Sequence, residues 1–508
     1  MNSPHEPLNT LLKLPNAGFV ALVGSGPGNA DLLTLRGQHF LSRCDVVLYD
    51  GLSNVEMLVH APEAEHICVG KHGQSRIWTQ TEIIEEILRY AQAGKSVVRL
   101  KGGDPAVFAR TSEEVDALVA AGIRFEVVPG ITAALAAGSY AGIPITHRGI
   151  ASAVALVTGH EEPGKSESAL DWSALAAFPG TLVIYMGVTT AAVWTRALLD
   201  AGKPAETPCA IVRRCSLPDQ QQIACRLDEV AGYLTPASRF RPPVITIVGE
   251  VTRLAGTMDW FAQRRLHGQR VMVTRPAGQA DELAAAIADL GAEVIRQCVI
   301  EIVPPENWSD VDDTIDRLSR FDTIAFSSVN GVRFFMDRIL QRGLDVRCLA
   351  GLRIAAVGEA TAKQLREFHL AVDVVPQQFD APGLVAELGT SVQGQAVLIV
   401  RANRGSRVLP EGLAAAGANV TEIAAYQNVD VAEPDPKVLE RLQRGEVDWI
   451  TVTSSATAEN LVRMFGDALQ GCRFAAISPI TADVLRSHGL KVEAVATTAT
   501  MAGLVESI

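Results

Sequence analysis

This 508-residue sequence predicts an α/β fold in two halves, each of them two-lobed. Three observations carry the prediction. Short β-type runs alternate with amphipathic stretches along the whole chain, the pattern of α/β architecture with largely parallel sheets. That pattern restarts near Ile143-Pro144, so two lobes fall before residue 255. The second half repeats itself internally and is therefore a duplicated α/β unit.

Taken in order, Phe19 to Val23 is a strand signal, followed by a Gly-rich turn and a helical stretch from Asp31. Asp45 to Asp50 is the next strand. Thr79 to Ala93 reads as a helix with its apolar residues at Ile83, Ile84, Ile87 and Leu88. Ser96 to Leu100 is a third strand. After the restart, Ala153 to Thr158, Thr181 to Met186 and Val244 to Val248 are further strands. Arg264 to Gln269 is polar and is the best linker position. The boundaries expected are 18–254 for the first half, with lobes at about 18–143 and 144–254, a linker at 255–267, and 268–508 for the second half.

In the second half, Val271 to Arg275 matches Val397 to Arg401, Gly291 to Val294 matches Gly417 to Val420, and Asp322 to Ser328 matches Asp448 to Ser454, all at one spacing. Ala355 to Ala362 against Ala475 to Ala482, and Gly383 to Val385 against Gly503 to Val505, share a slightly shorter spacing, which implies one deletion between the two copies. The unit is too long for a solenoid repeat. Two similar lobes facing a cleft are expected, and ligands bind in such clefts.

Composition removes several classes. The net charge of −12, with neither half basic, argues against nucleic-acid binding. The eight cysteines (Cys44, Cys68, Cys209, Cys215, Cys225, Cys298, Cys348 and Cys472) contain no CxxC pair, so neither a zinc ribbon nor a redox dithiol is supported and no metal site is expected. They read as free thiols of a reducing compartment. Met1 to Asn16 has no apolar run of signal-peptide length, and no uninterrupted apolar stretch is long enough to span a bilayer. A cytoplasmic protein without a membrane span is expected.

The residues that carry chemistry in the first half lie after strand signals. Gly24-Ser25-Gly26-Pro27-Gly28 is a turn whose glycines let backbone approach a ligand. With Asp50 at a Rossmann-like distance, it invites a nicotinamide-dependent dehydrogenase reading, but the spacing is GxGPG rather than GxGxxG. That reading also leaves the later motifs unexplained. Lys101-Gly102-Gly103-Asp104-Pro105 is a second Gly-rich loop; exposed backbone and an acidic acceptor for hydroxyls suit an adenosine-containing ligand, and no Walker pattern calls for a phosphate. Val128 to Ala134, Ile143 to Gly149 and Thr181 to Gly187 complete the series.

In this order, GSGPG, YDGLS, GK, RLKGGDP, VPGITA, THRG and YMG resemble the tetrapyrrole methylase family, most closely uroporphyrinogen-III C-methyltransferases, over about residues 18–254. The resemblance implies S-adenosylmethionine in a cleft between two α/β lobes and two methylations of uroporphyrinogen III to precorrin-2. Carried over by position, Pro27, Gly102, Gly103, Asp104, Val107, Thr132, Ala133, Met186 and Cys215 would hold S-adenosylmethionine, with Asp50 as proton acceptor and Lys71 as proton donor. Two departures stand out. The family's common GKRAG is here Gly70-Lys71-His72-Gly73, and a Gly is frequent near the position of Cys215. A porphyrinogen pyrrole is an enamine, so its carbon attacks the sulfonium methyl, and the enzyme needs in-line approach more than a strong base. The substrate's carboxylates call for cations, for which Arg148, Arg76, Arg110 and Arg213 are candidates. A homodimer through this half is expected.

The repeated lobes resemble uroporphyrinogen-III synthase over about residues 268–508, on Val273-Thr274-Arg275-Pro276, Phe326 to Val332, Ala356-Val357-Gly358 and Thr453 to Thr457. The implied reaction cyclises hydroxymethylbilane with loss of water and inversion of ring D. The implied fold is two α/β lobes joined by a β ladder, the N-terminal strand and the C-terminal segment sharing a lobe. Tyr426 sits where the family often has a tyrosine and could help the hydroxyl leave. Ser328 and Ser454 at strand ends could meet carboxylates or serve as helix N-caps. Arg275, Arg401 and Arg404 are the cation candidates. The alternative is a non-catalytic tetrapyrrole-binding or regulatory module.

Overall fold

The structure is a computed structural model that describes residues 18–51, 53–70, 78–160, 169–235, 238 and 240–508, the side chains of Ala277 and Thr390 excepted. It divides into two compact units. The first runs to Gln269 and takes in Ala288–Glu293; the second comprises Arg270–Ile287 and Val294–Ile508.

The first unit opens with β1 (Phe19–Gly24), β2 (Val46–Tyr49), β3 (Glu65–Cys68), β4 (Ser96–Lys101) and β5 (Arg124–Val128), in the order β3-β2-β4-β1-β5 and all parallel. Val20 to Val23 of β1 are fully buried, as a parallel strand covered on both faces requires. The helix Gln80–Gln92 starts where Thr79 and Glu82 form a reciprocal capping box, and it buries Ile83, Ile87, Tyr90 and Ala91. The helical stretch expected from Asp31 begins later. Asn29 caps a short 3-10 turn, Ala30–Leu32, and the helix itself is Leu35–Leu41 with Thr34 as N-cap.

The second sheet of this unit contains β6 (Val154–Thr158), β7 (Thr181–Tyr185), β8 (Pro208–Arg213), β9 (Gln221–Arg226) and β10 (Val244–Val248), in the order β6-β7-β10-β8-β9. Here the expectation of parallel pairing needs correction. Only β6 and β7 are parallel; β10 runs antiparallel to both β7 and β8, and β8 and β9 form an antiparallel pair. Every residue of β10 is buried, so its apolar run reads like a parallel strand although its neighbours run the other way.

The segment read as a linker is folded against this unit. Phe261 is 1% exposed, with Tyr140 at 4.8 Å and His267 at 5.3 Å between ring centroids. The Arg264 guanidinium lies 3.9 Å from the same ring, and Leu266 is buried.

The second unit contains β11 (Arg270–Val273), β12 (Glu293–Arg296), β13 (Ile300–Val303), β14 (Thr323–Phe326), β15 (Arg353–Ala356), β16 (Ala396–Ala402), β17 (Asn419–Asp430), β18 (Trp449–Val452), β19 (Arg473–Ala476) and β20 (Val492–Val495). Its two sheets have the orders β12-β11-β18-β19-β20 and β13-β17-β16-β14-β15. The repeat read from the sequence pairs β11 with β16, β12 with β17, β14 with β18 and β15 with β19. Each lobe therefore takes its opening strands from one copy and its closing strands from the other, and the duplicated segment is not itself a lobe. The strand orders nonetheless correspond position by position, because a bridge from Ala355 to Val374 stands where β20 pairs with β19. The exchange is made by two crossing segments. β17 runs parallel to β16 over its first part, and its last residues, Gln427 to Asp430, pair antiparallel with β13. One core gathers Met272, Ile450, Phe474 and Leu485; another gathers Ile324, Phe335, Leu398 and Ile423.

Candidate active sites

In the first unit three loops leave the carboxyl ends of parallel strands and lock together. After β1 and β4, Gly26 and Gly103 exchange backbone hydrogen bonds of 3.1 and 2.8 Å. A Cβ on Gly24 would sit 2.6 Å from the Gly130 Cα, and one on Gly130 would sit 2.2 Å from the Gly103 carbonyl oxygen, so no side chain fits at either position. Asp104 adds the polar part of the lock. Its Oδ2 accepts from the Gly130 N–H at 2.9 Å and its Oδ1 from the Ala106 N–H at 2.7 Å. The ligand edge of an open α/β sheet lies at these strand ends, where connections diverge to either side.

The second lobe supplies Tyr185. Its hydroxyl meets Thr132 Oγ1 at 2.7 Å and accepts from the Ala134 N–H at 2.9 Å, so Tyr185 satisfies the first turn of the helix Ala133–Tyr140 where Thr132 makes no side-chain cap of its own. Burial pushes the tyrosine hydroxyl above its usual range. Phe108 lies 5.0 Å from the Tyr185 ring, and the next residue, Met186, is 49% exposed at φ 53°. Cys215 is buried, which pushes its thiol up to about 12, so any contact there falls to the main chain. It stands between Arg214 and Ser216, both at positive φ, and Ser216 Oγ accepts from the Asn29 N–H at 3.1 Å, joining that loop to the GSGPG turn. Pro27, Gly102 and Val107 are half-buried along the same edge.

Asp50 follows β2, and its Oδ1 accepts from Arg99 Nη2 at 2.5 Å. Arg99 also reaches Glu114 Oε1 from Nε at 3.3 Å, and Lys101 Nζ donates to Glu114 Oε2 at 2.6 Å. Arg99, Lys101 and Glu114 are all nearly fully buried. Desolvation and Arg99 hold the Lys101 ammonium below its usual range against the opposing pull of Glu114. The motif reading passed over this trio. Its signal was two charges alternating inside an otherwise apolar strand, since a charge on a buried strand must have a partner.

The remaining expected residues are distributed differently. Lys71 and Arg76 lie outside the described residues. Arg148 is exposed in the turn closed by the His147–Ala151 bridge. Arg110 pairs with Glu113 at 2.7 Å, and Arg213 approaches Asp219 at 3.6 Å.

In the second unit the expected residues follow strands of both lobes, and Tyr426 and Ser328 belong to the same one. Tyr426 on β17 meets Ser328 Oγ at 3.0 Å and stacks on Phe334. Burial raises its hydroxyl, with hydrogen bonds from Ser328 and Asn330 and the charge of Arg401 acting the other way. Ser328 also caps the helix Val329–Gln341, accepting from the Gly331 N–H at 3.0 Å. Ser454 makes the equivalent cap for the helix Ser455–Phe465, at 3.1 Å from the Thr457 N–H. Arg275 donates to Gln279 Oε1 at 2.9 Å, and burial holds its guanidinium below the usual pKa range. Arg401 is in an ion pair with Glu422 at 2.7 Å, and Arg404 pairs with Asp430. Of the cation candidates, Arg275 is the one held by a neutral amide rather than a carboxylate.

Fold and loops define a two-module α/β protein: a Gly-locked set of loops at the carboxyl edge of a parallel sheet, followed by paired lobes with a polar seam. Residues 20–231 match the family model of Tetrapyrrole (Corrin/Porphyrin) Methylases, and residues 281–506 that of Uroporphyrinogen-III synthase HemD. A porphyrin biosynthesis protein HemD of Ruminiclostridium josui is 34% identical over 477 residues, covering 93% of this chain and 94% of that protein. An S-adenosyl-L-methionine-dependent uroporphyrinogen III methyltransferase of Methanosarcina barkeri is 47% identical over 240 residues, 47% of this chain and 94% of its own length. A solved uroporphyrin III C-methyltransferase from Thermus thermophilus is 42% identical, covering 47% of this chain and 100% of that one, with a TM-score of 0.41. The chain belongs to the tetrapyrrole methylase family in its first unit and to the uroporphyrinogen-III synthase family in its second, a fusion of two enzymes of porphyrin biosynthesis. The resemblance read from the motifs holds for both halves.

Proposed function

We propose that the second domain, 268–508, cyclises hydroxymethylbilane to uroporphyrinogen III, and that the first, 18–254, methylates this product twice with S-adenosylmethionine to give precorrin-2, with 255–267 between them. The observation that carries the reading is the run of relatedness to the Ruminiclostridium josui protein across both units at once, because the product of one family is the substrate of the other.

The first cleft fits the methyl donor. Gly103 has φ +70°, and a Cβ placed on it would meet nothing closer than 3.9 Å, so its backbone lies open to a ligand; Met186 and Phe108 add exposed apolar surface beside it. Bound there, S-adenosylmethionine supplies the electrophilic methyl group. Gly102, Gly103, Thr132 and Ala133 would offer backbone groups, with Pro27, Val107, Met186 and the Cys215 main chain closing round the ligand. Asp104 keeps lone pairs beyond its two backbone bonds that would accept ribose hydroxyls. Asp50, oriented by Arg99, would take the proton that the macrocycle releases, and Lys71 would return one. Arg148 would meet a substrate carboxylate at the rim.

In the second cleft the lobes would fold the linear substrate and shield the cation formed as water leaves. Tyr426 would assist the departing hydroxyl. Arg275 would bind a carboxylate, with Ser328 and Ser454 at the mouths of their helices; Arg401 would act from within its pair with Glu422.

Further readings rest on less specific features. A homodimer through the first unit is supported by Val127 on β5 and by Val154 and Leu156 on β6, exposed apolar residues on the edge strands of both sheets. A cytoplasmic setting is supported by eight free cysteines, and no helix among the described residues is long and apolar enough to cross a membrane. The net charge of −12 argues against nucleic acid as a partner, and the anionic tetrapyrroles would be met by local arginines. The test is incubation of the purified chain with hydroxymethylbilane, with and without S-adenosylmethionine, followed by chromatographic separation of the type I and type III isomers and mass analysis of the products. Uroporphyrinogen III alone without the donor, and a doubly methylated product with it, are expected. Only the spontaneous type I isomer, or no mass increase, would refute the respective half.

A further inference from the structure

A chain of neutral amides joins the two lobes of the second unit. Arg275 follows β11 in one lobe and donates from Nη2 to Gln279 Oε1 at 2.9 Å. Gln279, on the helix Ala277–Asp289 of that lobe, donates from Nε2 to Asn330 Oδ1 at 2.9 Å. Asn330 belongs to the other lobe, on the first turn of the helix Val329–Gln341, and is 8% exposed. Ser328, two residues earlier, caps the same helix and meets the Tyr426 hydroxyl at 3.0 Å, and the Asn330 side chain is close enough to that hydroxyl to favour its ionised form. An amide at each step can accept on one side and donate on the other, so neither residue is left with an unmet buried group. A carboxylate at either place would break the relay, because it cannot donate.

We propose that Gln279 and Asn330 are positioning residues of the synthase cleft, which together clasp the lobes and tie the carboxylate-binding guanidinium of Arg275 to the hydroxyl of Tyr426. This rests on the reading of the second unit as a synthase. Two physical points support it. Arg275 is half-buried; Glu282 acts on it through space, but no ion pair with a carboxylate forms among the described residues, so its charge is available to an anionic substrate. Its guanidinium is held by the same amide that spans the lobes, so an anion fixed there acts on the relative setting of Arg275 and Tyr426. The clasp touches no reacting atom. It sets the distance between the group that holds the chain and the group at which the hydroxyl departs.

The experiment uses the full chain and a double-mutant cycle of Gln279→Met and Asn330→Ala, with thermal melts to establish folding. Gln279 is only half-buried, so its substitution is readable even if the Asn330 variant is destabilised. The readouts are kcat and KM with hydroxymethylbilane and the ratio of type III to type I product. Each folded single variant should lower kcat/KM roughly tenfold, the effect of one lost buried hydrogen bond, and should release more type I isomer. The double variant should be no worse than the more impaired single one, since both cut the same link. Unchanged isomer ratios in the single variants, or losses that multiply in the double variant, would overturn the clasp. A wild-type chain that forms only the type I isomer would instead remove the synthase reading, and the clasp's role with it.

Discussion

Arg99 Nη2 donates to Asp50 Oδ1 at 2.5 Å from a side chain that is itself only 4% exposed, while Asp50 remains 30% exposed. A buried cation thus orients a carboxylate at the carboxyl end of β2, and Glu114 and Lys101 balance the charge behind it.

That arrangement separates two effects. Asp50→Asn keeps an acceptor for Arg99 and should lower methyl transfer with little change in S-adenosylmethionine affinity, measured by isothermal titration beside initial rates. A loss of affinity at an unchanged rate would reassign Asp50 to donor binding. Glu114→Gln leaves Arg99 and Lys101 short of a buried counter-charge and should destabilise the first unit by about 3–5 kcal/mol, the usual effect of breaking a buried pair. Denaturant melts at neutral pH check it.

Tyr185→Phe removes the hydroxyl that serves Thr132 and the Ala134 N–H. One buried donor loses its partner, which costs about 1–3 kcal/mol. The first turn of the helix Ala133–Tyr140 should loosen, and S-adenosylmethionine affinity should fall while the far sheet keeps its hydrogen-exchange protection. Asp104→Ala should also weaken binding, by freeing the Gly130 loop as well as by removing an acceptor. Excess chelator should leave the affinity of the unmutated chain intact.

Asp430 receives Arg404 on one oxygen and Arg463 on the other, which holds its carboxyl at about 2, below the usual carboxylate range, the Arg404 hydrogen bond being the largest cause. The folded value is lower than the unfolded one. Its stabilising contribution is therefore present above the ordinary carboxylate range and is lost as pH falls through about 2. Exposure and salt keep the effect small. Asp430→Asn should flatten part of the acid limb of stability of the second unit in urea melts between about pH 4 and 2, with little change at neutral pH.

A chain ending at Gln269 should be more stable than one ending at Ala262. The shorter one loses the Arg264 guanidinium over Phe261, the His267 ring beside it and the buried Leu266. Burying a leucine alone contributes about 1.5–3 kcal/mol. Differential scanning calorimetry of the two pieces decides it; equal melting temperatures would mean that the segment only connects.

Much of this was legible in the sequence. The Gly-rich loops after β1 and β4 announced a place of close backbone approach because only glycine tolerates backbone within contact distance, and Gly24, Gly103 and Gly130 meet in that way. Helix starts at Thr79 and Ser328 were readable because capping is local chemistry. The partners of Asp50 were not, since Arg99 and Glu114 are distant in sequence and reveal themselves only as charges inside apolar stretches. Tyr185 likewise hid in a strand whose other residues are simply core.

The sequence by itself determined the two α/β units, the duplication in the second, and the residue types at each strand end, because period, capping and glycine placement act over a few residues. Only the tertiary structure decided which strands became neighbours. The repeat compares β11 with β16 and β14 with β18, yet β11 joins β18 and β14 joins β16. Side-chain pattern fixes which face of a strand is buried but carries no label for the strand beside it; that choice follows from the long-range crossing of β13 and β17, and with it the meeting of Arg275, Gln279, Asn330 and Tyr426 across the lobes.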